Sequence, residues 1–182
     1  PMTTCTGYYD GTVSSELVEY YRARAGSIGT IIVECCFVDD LGLAFPGAIG
    51  IDNDEKIAGL AKIADAIKSK GSKALLQIYH GGRMVDPKLI GGRTPVGPSA
   101  VAAPRDGAAT PVALTSEEVE GMIGKFGEAV RRAIQAGFDG VEIHGANTYL
   151  IQQFYSPNSN QRDDEWGGSR DNRAKFPLAV LD

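Results

Sequence analysis

Residues 140–149 read GVEIHGANTY, an apolar run of strand length that delivers His144 and is followed closely by Asn147 and Tyr149. His144 and Asn147 can both donate to one oxygen and stabilise negative charge that develops on it. The phenol of Tyr149, with an ordinary pKa of about 10, suits a proton donor at neutral pH. Taken singly, His144 and Tyr149 are more often packed core residues. Their joint spacing instead predicts an enzyme that adds hydride to an activated C=C bond.

The same strand is the last of three in a repeating pattern of strand and helix. The strands are almost wholly apolar, which is typical of a parallel sheet covered by helices on its outer face. Hydrophobic spacing, caps and terminal glycines predict helices over residues 14–25, 52–69 and 115–135. The strands are predicted over residues 29–34, 74–79 and 140–144, the last of them buried like the others.

The ends of these strands favour a (β/α)8 TIM barrel over an open doubly wound sheet. No GxGxxG follows the first strand, whereas polar or reactive residues follow all three strands, namely Cys35, Gln77 with His80, and His144. A full barrel needs about 250 residues in eight units. The fold class predicted for residues 1–182 is therefore α/β, a partial TIM barrel with roughly the first four βα units, about half of a barrel.

Residues 91–113 interrupt the pattern with a stretch rich in Gly, Pro and Ala. It is too long for a plain connection, and we predict a lid or pocket loop over the strand ends. A disordered insertion is the alternative interpretation.

Composition narrows the class of partner. The net charge is −5, the pI is about 5.1, and the 18 Lys and Arg residues are scattered, which argues against binding of nucleic acid or an anionic membrane. The three cysteines are odd in number and form no CxxC, which favours a reduced cytoplasmic setting. No apolar stretch approaches the roughly 20 residues of a membrane span. We therefore expect a cytoplasmic protein that acts on a small-molecule substrate.

The predicted hydride cannot come from an amino-acid side chain, so a redox cofactor is required. Gln77 ends a buried strand and can bond the amide-like edge of a flavin ring. Thr3 and the backbone at Cys35 can bond the same ring, although a strand-end Gln or Thr more often bonds local backbone.

Longer motifs extend this pattern along the chain. Residues 144–154 read HGANTYLIQQF and are followed by SPNSNQR at 156–162, DEWGGS at 164–169 and NRAKF at 172–176. They are preceded by PMTT at 1–4, QIYHGGR at 77–83 and AGFDGVEIH at 136–144. In these motifs, which cover essentially the whole chain, the sequence resembles the Old Yellow Enzyme family of FMN-dependent ene-reductases.

The resemblance implies an activity, a cofactor and a set of residue roles. FMN would lie across the barrel mouth, NADH or NADPH would reduce it, and the substrate would be an α,β-unsaturated carbonyl or nitro compound. His144 and Asn147 would hold the substrate oxygen while Tyr149 protonates the carbon alpha to it. Asn147 stands where many members have His. Residues implied to border or bond the flavin are Pro1, Met2, Thr3, Cys35, Gln77 and His144.

Two other interpretations stay open at the level of sequence. Cys35, His80 and His144 follow successive strands and are a plausible zinc set, which would indicate a metal-dependent hydrolase or lyase on the same scaffold. Alternatively, a half-barrel exposes edge strands that pair with other copies. We expect residues 1–182 to self-associate and to have little ene-reductase activity on their own.

Overall fold

A computed structural model describes all residues, 1–182, and contains one parallel sheet with helices packed on it. The sheet strands are β1 (Thr30–Phe37), β2 (Lys73–Tyr79) and β5 (Gly140–Ile143), in the spatial order β1-β2-β5. A separate small pair joins β3 (Val96–Gly97) and β4 (Val112–Ala113). The helices are α1 (Ser15–Arg24), α2 (Ile57–Lys68), α3 (Ser116–Gln135), α4 (Leu150–Tyr155) and α5 (Arg170–Leu181). None of them combines the length and apolar character that crossing a membrane would require.

The parallel register brings the carboxyl ends of the three main strands to one edge. Leu76 lies opposite Val141, and Gln77 lies opposite Glu142. Between β1 and β2 the register shifts between Val33 and Cys36, a bulge-like irregularity that coincides with Glu34 and Cys35. Such irregularities re-aim side chains near the end of a strand.

The main core lies between the sheet and the helices and contains 30 buried residues. Helix α2 contributes Leu60, Ile63 and Ile67, all fully buried, at helical spacing. Helix α3 begins at the predicted capping box, in which the Thr115 hydroxyl accepts from the Glu118 amide at 3.2 Å and the Glu118 carboxylate accepts from the Thr115 amide at 2.8 Å. Such a cap contributes about 1 kcal/mol to helix stability.

The predicted elements all exist, with three differences in detail. Strand β1 extends three residues past the predicted end, to Phe37. Helix α2 begins at Ile57 rather than 52, because the Asn53 side chain caps a 3-10 turn at Asp54–Lys56 first. The expectation that the 140–144 strand is buried is wrong, since all four residues of β5 are only partly buried. The reason is its place at the edge of the sheet, where it pairs with β2 alone.

The segment 91–113 is attached to the loop after β2. Nη1 of Arg83 donates to the carbonyls of Val101 and Ala102, at 3.2 and 3.1 Å, and Arg105 donates to the carbonyl of Met84 at 2.8 Å. These contacts place the segment beside the strand ends. Its role as a lid stays a prediction.

Candidate active site

The carboxyl ends of β2 and β5 bring three rings together. The ring centroids of His144 and Tyr149 are 4.9 Å apart, and the ring of Tyr79 lies 5.3 Å from Tyr149 and 6.4 Å from His144. Tyr79 also belongs to a small buried cluster with Cys35, against which Tyr149 packs. The structure therefore joins the end of β1, the end of β2 and the 144–149 segment in one place.

His144 is held in one orientation with one nitrogen free. Its backbone amide donates to the Ile78 carbonyl at 3.0 Å, and its Nδ1 accepts from the Ala146 amide at 3.3 Å. Since Nδ1 is an acceptor, the proton of the neutral ring is assigned to Nε2. Burial lowers the pKa of His144 below its usual value, and the carboxylate of Glu142 partly opposes this. A neutral imidazole with a free Nε2–H is thus available at neutral pH to donate to an oxygen.

Asn147 and Thr148 form a turn with unusual backbone geometry. Their φ angles are +54° and +63°, in the left-handed region, which is costly for a β-branched residue such as Thr148. The turn is fixed by hydrogen bonds, because the Thr148 hydroxyl donates to the Asn147 carbonyl at 2.6 Å and Gln153 donates to the Thr148 carbonyl at 2.6 Å. The side-chain amide of Asn147 is exposed and makes no hydrogen bond within the chain. It is therefore free to donate to a ligand.

Tyr149 is half-buried and its hydroxyl makes no hydrogen bond within the chain. Its ring packs edge-on against Phe45, at 6.3 Å between centroids, and against Tyr79. Burial raises the pKa of Tyr149 above its ordinary value, and the neighbouring Cys35 adds to the effect. The phenol therefore keeps its proton at neutral pH, as a general acid must.

Of the residues predicted to face a flavin, Thr3 and Cys35 contact each other, whereas Gln77 contacts a residue outside the predicted set. The Thr3 hydroxyl lies 2.9 Å from the Cys35 sulfur, and the Gln77 amide donates to the Glu142 carboxylate at 2.6 Å. Pro1 and Met2 precede Thr3 and are exposed. The amide oxygen of Gln77 stays without a hydrogen bond.

This donor set fits the ring of FMN by its chemistry. The Thr3 hydroxyl, the Gln77 amide and the His144 Nε2–H are neutral groups, and a flavin ring presents carbonyl and amide-like edges to such groups. Pro1, Met2, Thr3, Cys35, Gln77 and His144 include no cationic side chain, so their chemistry fits the ring rather than the phosphate of FMN.

Sequence reasoning missed Tyr79 and Glu142, although the pattern contained a signal for both. Alternate residues of a strand face the same side, so Tyr79 accompanies Gln77 and Glu142 accompanies His144. The register places Gln77 opposite Glu142.

The zinc set considered above is not assembled. His80 is buried, its Nδ1 accepts from the Gly82 amide at 3.0 Å, and its Nε2 faces Asp39 at 3.6 Å. Asp39 is in turn paired with Lys125, and His80 and Lys125 hold its pKa well below the usual value despite burial. No group of three or more His, Cys, Asp or Glu residues is placed to hold a metal ion.

Comparisons with known proteins show the family and the fold to which this chain is similar. Residues 1–182 match the model of the NADH:flavin oxidoreductase / NADH oxidase family. The NADH:fumarate oxidoreductase of Klebsiella pneumoniae (strain 342) is 88% identical over 182 residues, which are all of this chain and 20% of that protein.

Two solved structures are similar over the whole fold. Morphinone reductase in complex with tetrahydroNAD has a TM-score of 0.93 and 34% identity, over 100% of this chain and 53% of that one. The Old Yellow Enzyme homologue from Zymomonas mobilis has a TM-score of 0.91 and 34% identity, over 99% and 52%. The chain thus spans between a fifth and about half of the length of these proteins. These likenesses confirm the partial (β/α)8 barrel predicted from the sequence.

Proposed function

This chain belongs to the NADH:flavin oxidoreductase / NADH oxidase family, and we propose that it carries the substrate-reducing site of an FMN-dependent ene-reductase. The reductant is NADH or NADPH, and the substrate is an α,β-unsaturated carbonyl or nitro compound. One observation carries the proposal. A free His144 Nε2–H, a free Asn147 amide and an unbonded Tyr149 hydroxyl lie at one strand end, with the rings of His144 and Tyr149 4.9 Å apart.

FMN, when bound, supplies the transfer of hydride from the nicotinamide to the substrate. Thr3 and Gln77 would hold its ring through hydrogen bonds, while Pro1, Met2, Cys35 and the imidazole of His144 would border it. Gln77 gives one N–H to Glu142, so its second N–H can donate to a ring carbonyl and its free amide oxygen can accept from a ring N–H.

His144 and Asn147 have the task of binding the substrate oxygen. Two neutral donors aimed at one oxygen stabilise the negative charge that grows there as the double bond is reduced. A fixed donor costs no reorganisation during the reaction, and the Ala146 amide fixes the imidazole in this way.

Tyr149 delivers the proton to the carbon alpha to the activating group. Its raised pKa keeps the phenol protonated at the pH at which a carbanion or enolate must be quenched. The three side chains therefore have unequal roles. His144 and Asn147 form the oxygen clamp, which binds the substrate oxygen, and Tyr149 is the acid.

The name of one relative supports an activated alkene as substrate. A protein 88% identical over this chain is called an NADH:fumarate oxidoreductase, and fumarate is an alkene conjugated to carboxylates.

Because residues 1–182 alone are expected to have little activity, the test uses a chain that supplies the whole barrel, loaded with FMN under anaerobic conditions. We expect NADH or NADPH to bleach the flavin absorbance, and an enone such as 2-cyclohexenone to restore it. A protein that stays colourless after refolding with FMN, and that contains stoichiometric zinc, would contradict the proposal.

A further inference from the structure

Arg83 is a buried cation without an acidic partner. Two cationic side chains are buried in this chain, Lys56 and Arg83, each about 8% exposed. Lys56 pairs with Asp52 at 2.5 Å, whereas no carboxylate lies within 4.0 Å of Arg83. An uncompensated buried charge is costly, and such a group is normally paired or bound to a ligand. Arg83 therefore has an unfilled requirement for an anion.

The edge of the guanidinium formed by Nε and Nη2 has no hydrogen-bond partner within the chain, and Nη2 is its accessible atom. Nη1 is occupied by the carbonyls of Val101 and Ala102, at 3.2 and 3.1 Å. Nε is buried without a partner, and Nη2, which shares that edge, makes no hydrogen bond. Two parallel N–H donors on one edge match the two oxygens of a carboxylate or phosphate.

Arg83 faces a groove of about 430 Å³ whose other lining residues are uncharged, some polar and some apolar. Thr148, Gln152, Ser156 and Asn158 line it, and no Asp or Glu does. In a chain of net charge −5, a groove with one arginine and no acid is a local site of positive potential.

The groove adjoins the candidate active site through Gln153. The side chain of Gln153 accepts from the Arg83 backbone amide at 3.0 Å and donates to the Thr148 carbonyl at 2.6 Å. Thr148 lines the groove, and it follows Asn147 directly in the strained turn. An anion bound by Arg83 would therefore lie next to the turn that presents the oxygen clamp.

We propose that Arg83 and this groove bind an oxyanion group carried by one of the reactants. The ligand chemistry is a carboxylate or a phosphate, and its source is either an unsaturated acid substrate or the nicotinamide coenzyme. The assignment to a reactant rests on the proposed function, whereas the binding of an oxyanion does not.

The direct test is a calorimetric titration of inorganic phosphate into the protein at low ionic strength. We expect saturable binding, weakened by about tenfold or more in Arg83→Gln, because the charged donor is removed. The matched control is Arg105→Gln, since Arg105 is exposed, also joins segment 91–113 to the loop after β2, and does not line the groove. Undiminished phosphate binding by Arg83→Gln, or no binding by the parent protein, would overturn the proposal.

Arg83→Gln also removes two contacts to segment 91–113 and could therefore misfold. A second variant tests the groove with Arg83 and these contacts in place. Asn158 is exposed in the groove, and Asn158→Asp adds a carboxylate there without touching Arg83. We expect phosphate binding to weaken by about threefold or more, through like-charge repulsion, and Asn158→Ala to bind as the parent does. Equal binding by both variants would contradict the site.

The two sources are separated by half-reactions of the FMN-loaded protein. If the ligand is a substrate carboxylate, Arg83→Gln raises KM for acrylate but not for acrylamide. If it is a coenzyme phosphate, the variant raises the Kd of NADH during flavin reduction and leaves both substrates unchanged. If the KM values for acrylate and acrylamide and the Kd of NADH are all unchanged, the assignment to a reactant is overturned. If NADH does not reduce the bound FMN, the proposed function is contradicted. The oxyanion site in the groove is then still tested by the phosphate titration.

Discussion

Gln153 donates through Nε2 to the carbonyl oxygen of Thr148 at 2.6 Å and thereby holds the left-handed turn that presents Asn147. The same amide donates to the Gly81 carbonyl at 3.1 Å and accepts from the Arg83 amide at 3.0 Å. Gln153 is 1% exposed, and its bonds to Gly81 and Arg83 are buried, whereas its bond to the exposed Thr148 is partly buried. A buried amide with three backbone partners ties the turn after β5 to the loop after β2.

Replacing Gln153 by Ala should therefore slow substrate reduction more than flavin reduction. The variant leaves buried backbone groups unpaired, at about 1–3 kcal/mol each, and frees the strained turn to relax. A displacement of the clamp of about 1 Å can cost on the order of 100-fold in rate. Anaerobic stopped-flow of flavin reoxidation by an enone measures this. Gln161→Ala, an exposed control, should react as the parent does, and the idea fails if Gln153→Ala reoxidises at the parental rate.

Tyr149→Phe removes one hydroxyl and should separate the two half-reactions. Loss of a general acid typically slows a step by about 10²–10⁴-fold, so reoxidation of the flavin by an enone should slow by that order. Flavin reduction by NADH needs no proton from Tyr149 and should stay near the parental rate. Tyr9→Phe is the control because Tyr9 is 92% exposed. Equal loss in both half-reactions would refute the role as acid.

Much of the fold, and the three donor residues of the site, could be predicted from the sequence because the signals are local. Each apolar strand and capped helix is a short segment, and His144, Asn147 and Tyr149 lie within six consecutive residues. The contacts that hold these donors in place could not be predicted from the sequence. Gln153 and the Arg83 amide meet across 70 positions of the chain, and no local pattern specifies such a contact. The left-handed conformation of Thr148 also contradicts local propensity, because a β-branched residue rarely adopts it, whereas Asn147 is of a type that tolerates it.

Glu34 should make stability depend on pH in a direction opposite to that of most carboxylates. It is fully buried, and its carboxylate accepts from the Thr4 amide and hydroxyl and from the Tyr21 hydroxyl. Burial raises the pKa of Glu34, and these hydrogen bonds only partly oppose the shift. Since the folded pKa exceeds the unfolded one of about 4.3, the contribution of Glu34 is largest below that pH. It is lost as the pH rises through the folded pKa.

Urea unfolding of the parent and of Glu34→Gln over a range of pH measures this contribution. The free energy of unfolding of the parent, relative to the variant, should fall as pH rises from about 4 towards neutrality. Glu117→Gln, at an exposed position of α3, should show no such trend. A parent-minus-variant difference that is constant with pH would contradict the raised pKa.

One side of the sheet carries a continuous apolar surface beside the unpaired edge of β5. A groove there is lined by Ile143, Ile151, Tyr155, Pro177 and Leu181, and the Leu181 side chain is 65% exposed. The backbone of β5 pairs only with β2. Unpaired edges next to apolar surface favour pairing with another chain.

Residues 1–182 expressed alone are therefore expected to self-associate through this edge of β5. Leu181→Lys places a charge on the apolar surface at an already exposed position, so it should weaken association without unfolding the chain. A loss of about 1.4 kcal/mol would be a tenfold weaker association. Sedimentation velocity over a range of protein concentrations measures it. Ile134→Lys is the matched control, since Ile134 is 56% exposed on α3 and does not line this groove. A monodisperse monomer, or equal weakening by both variants, would refute association through the β5 edge.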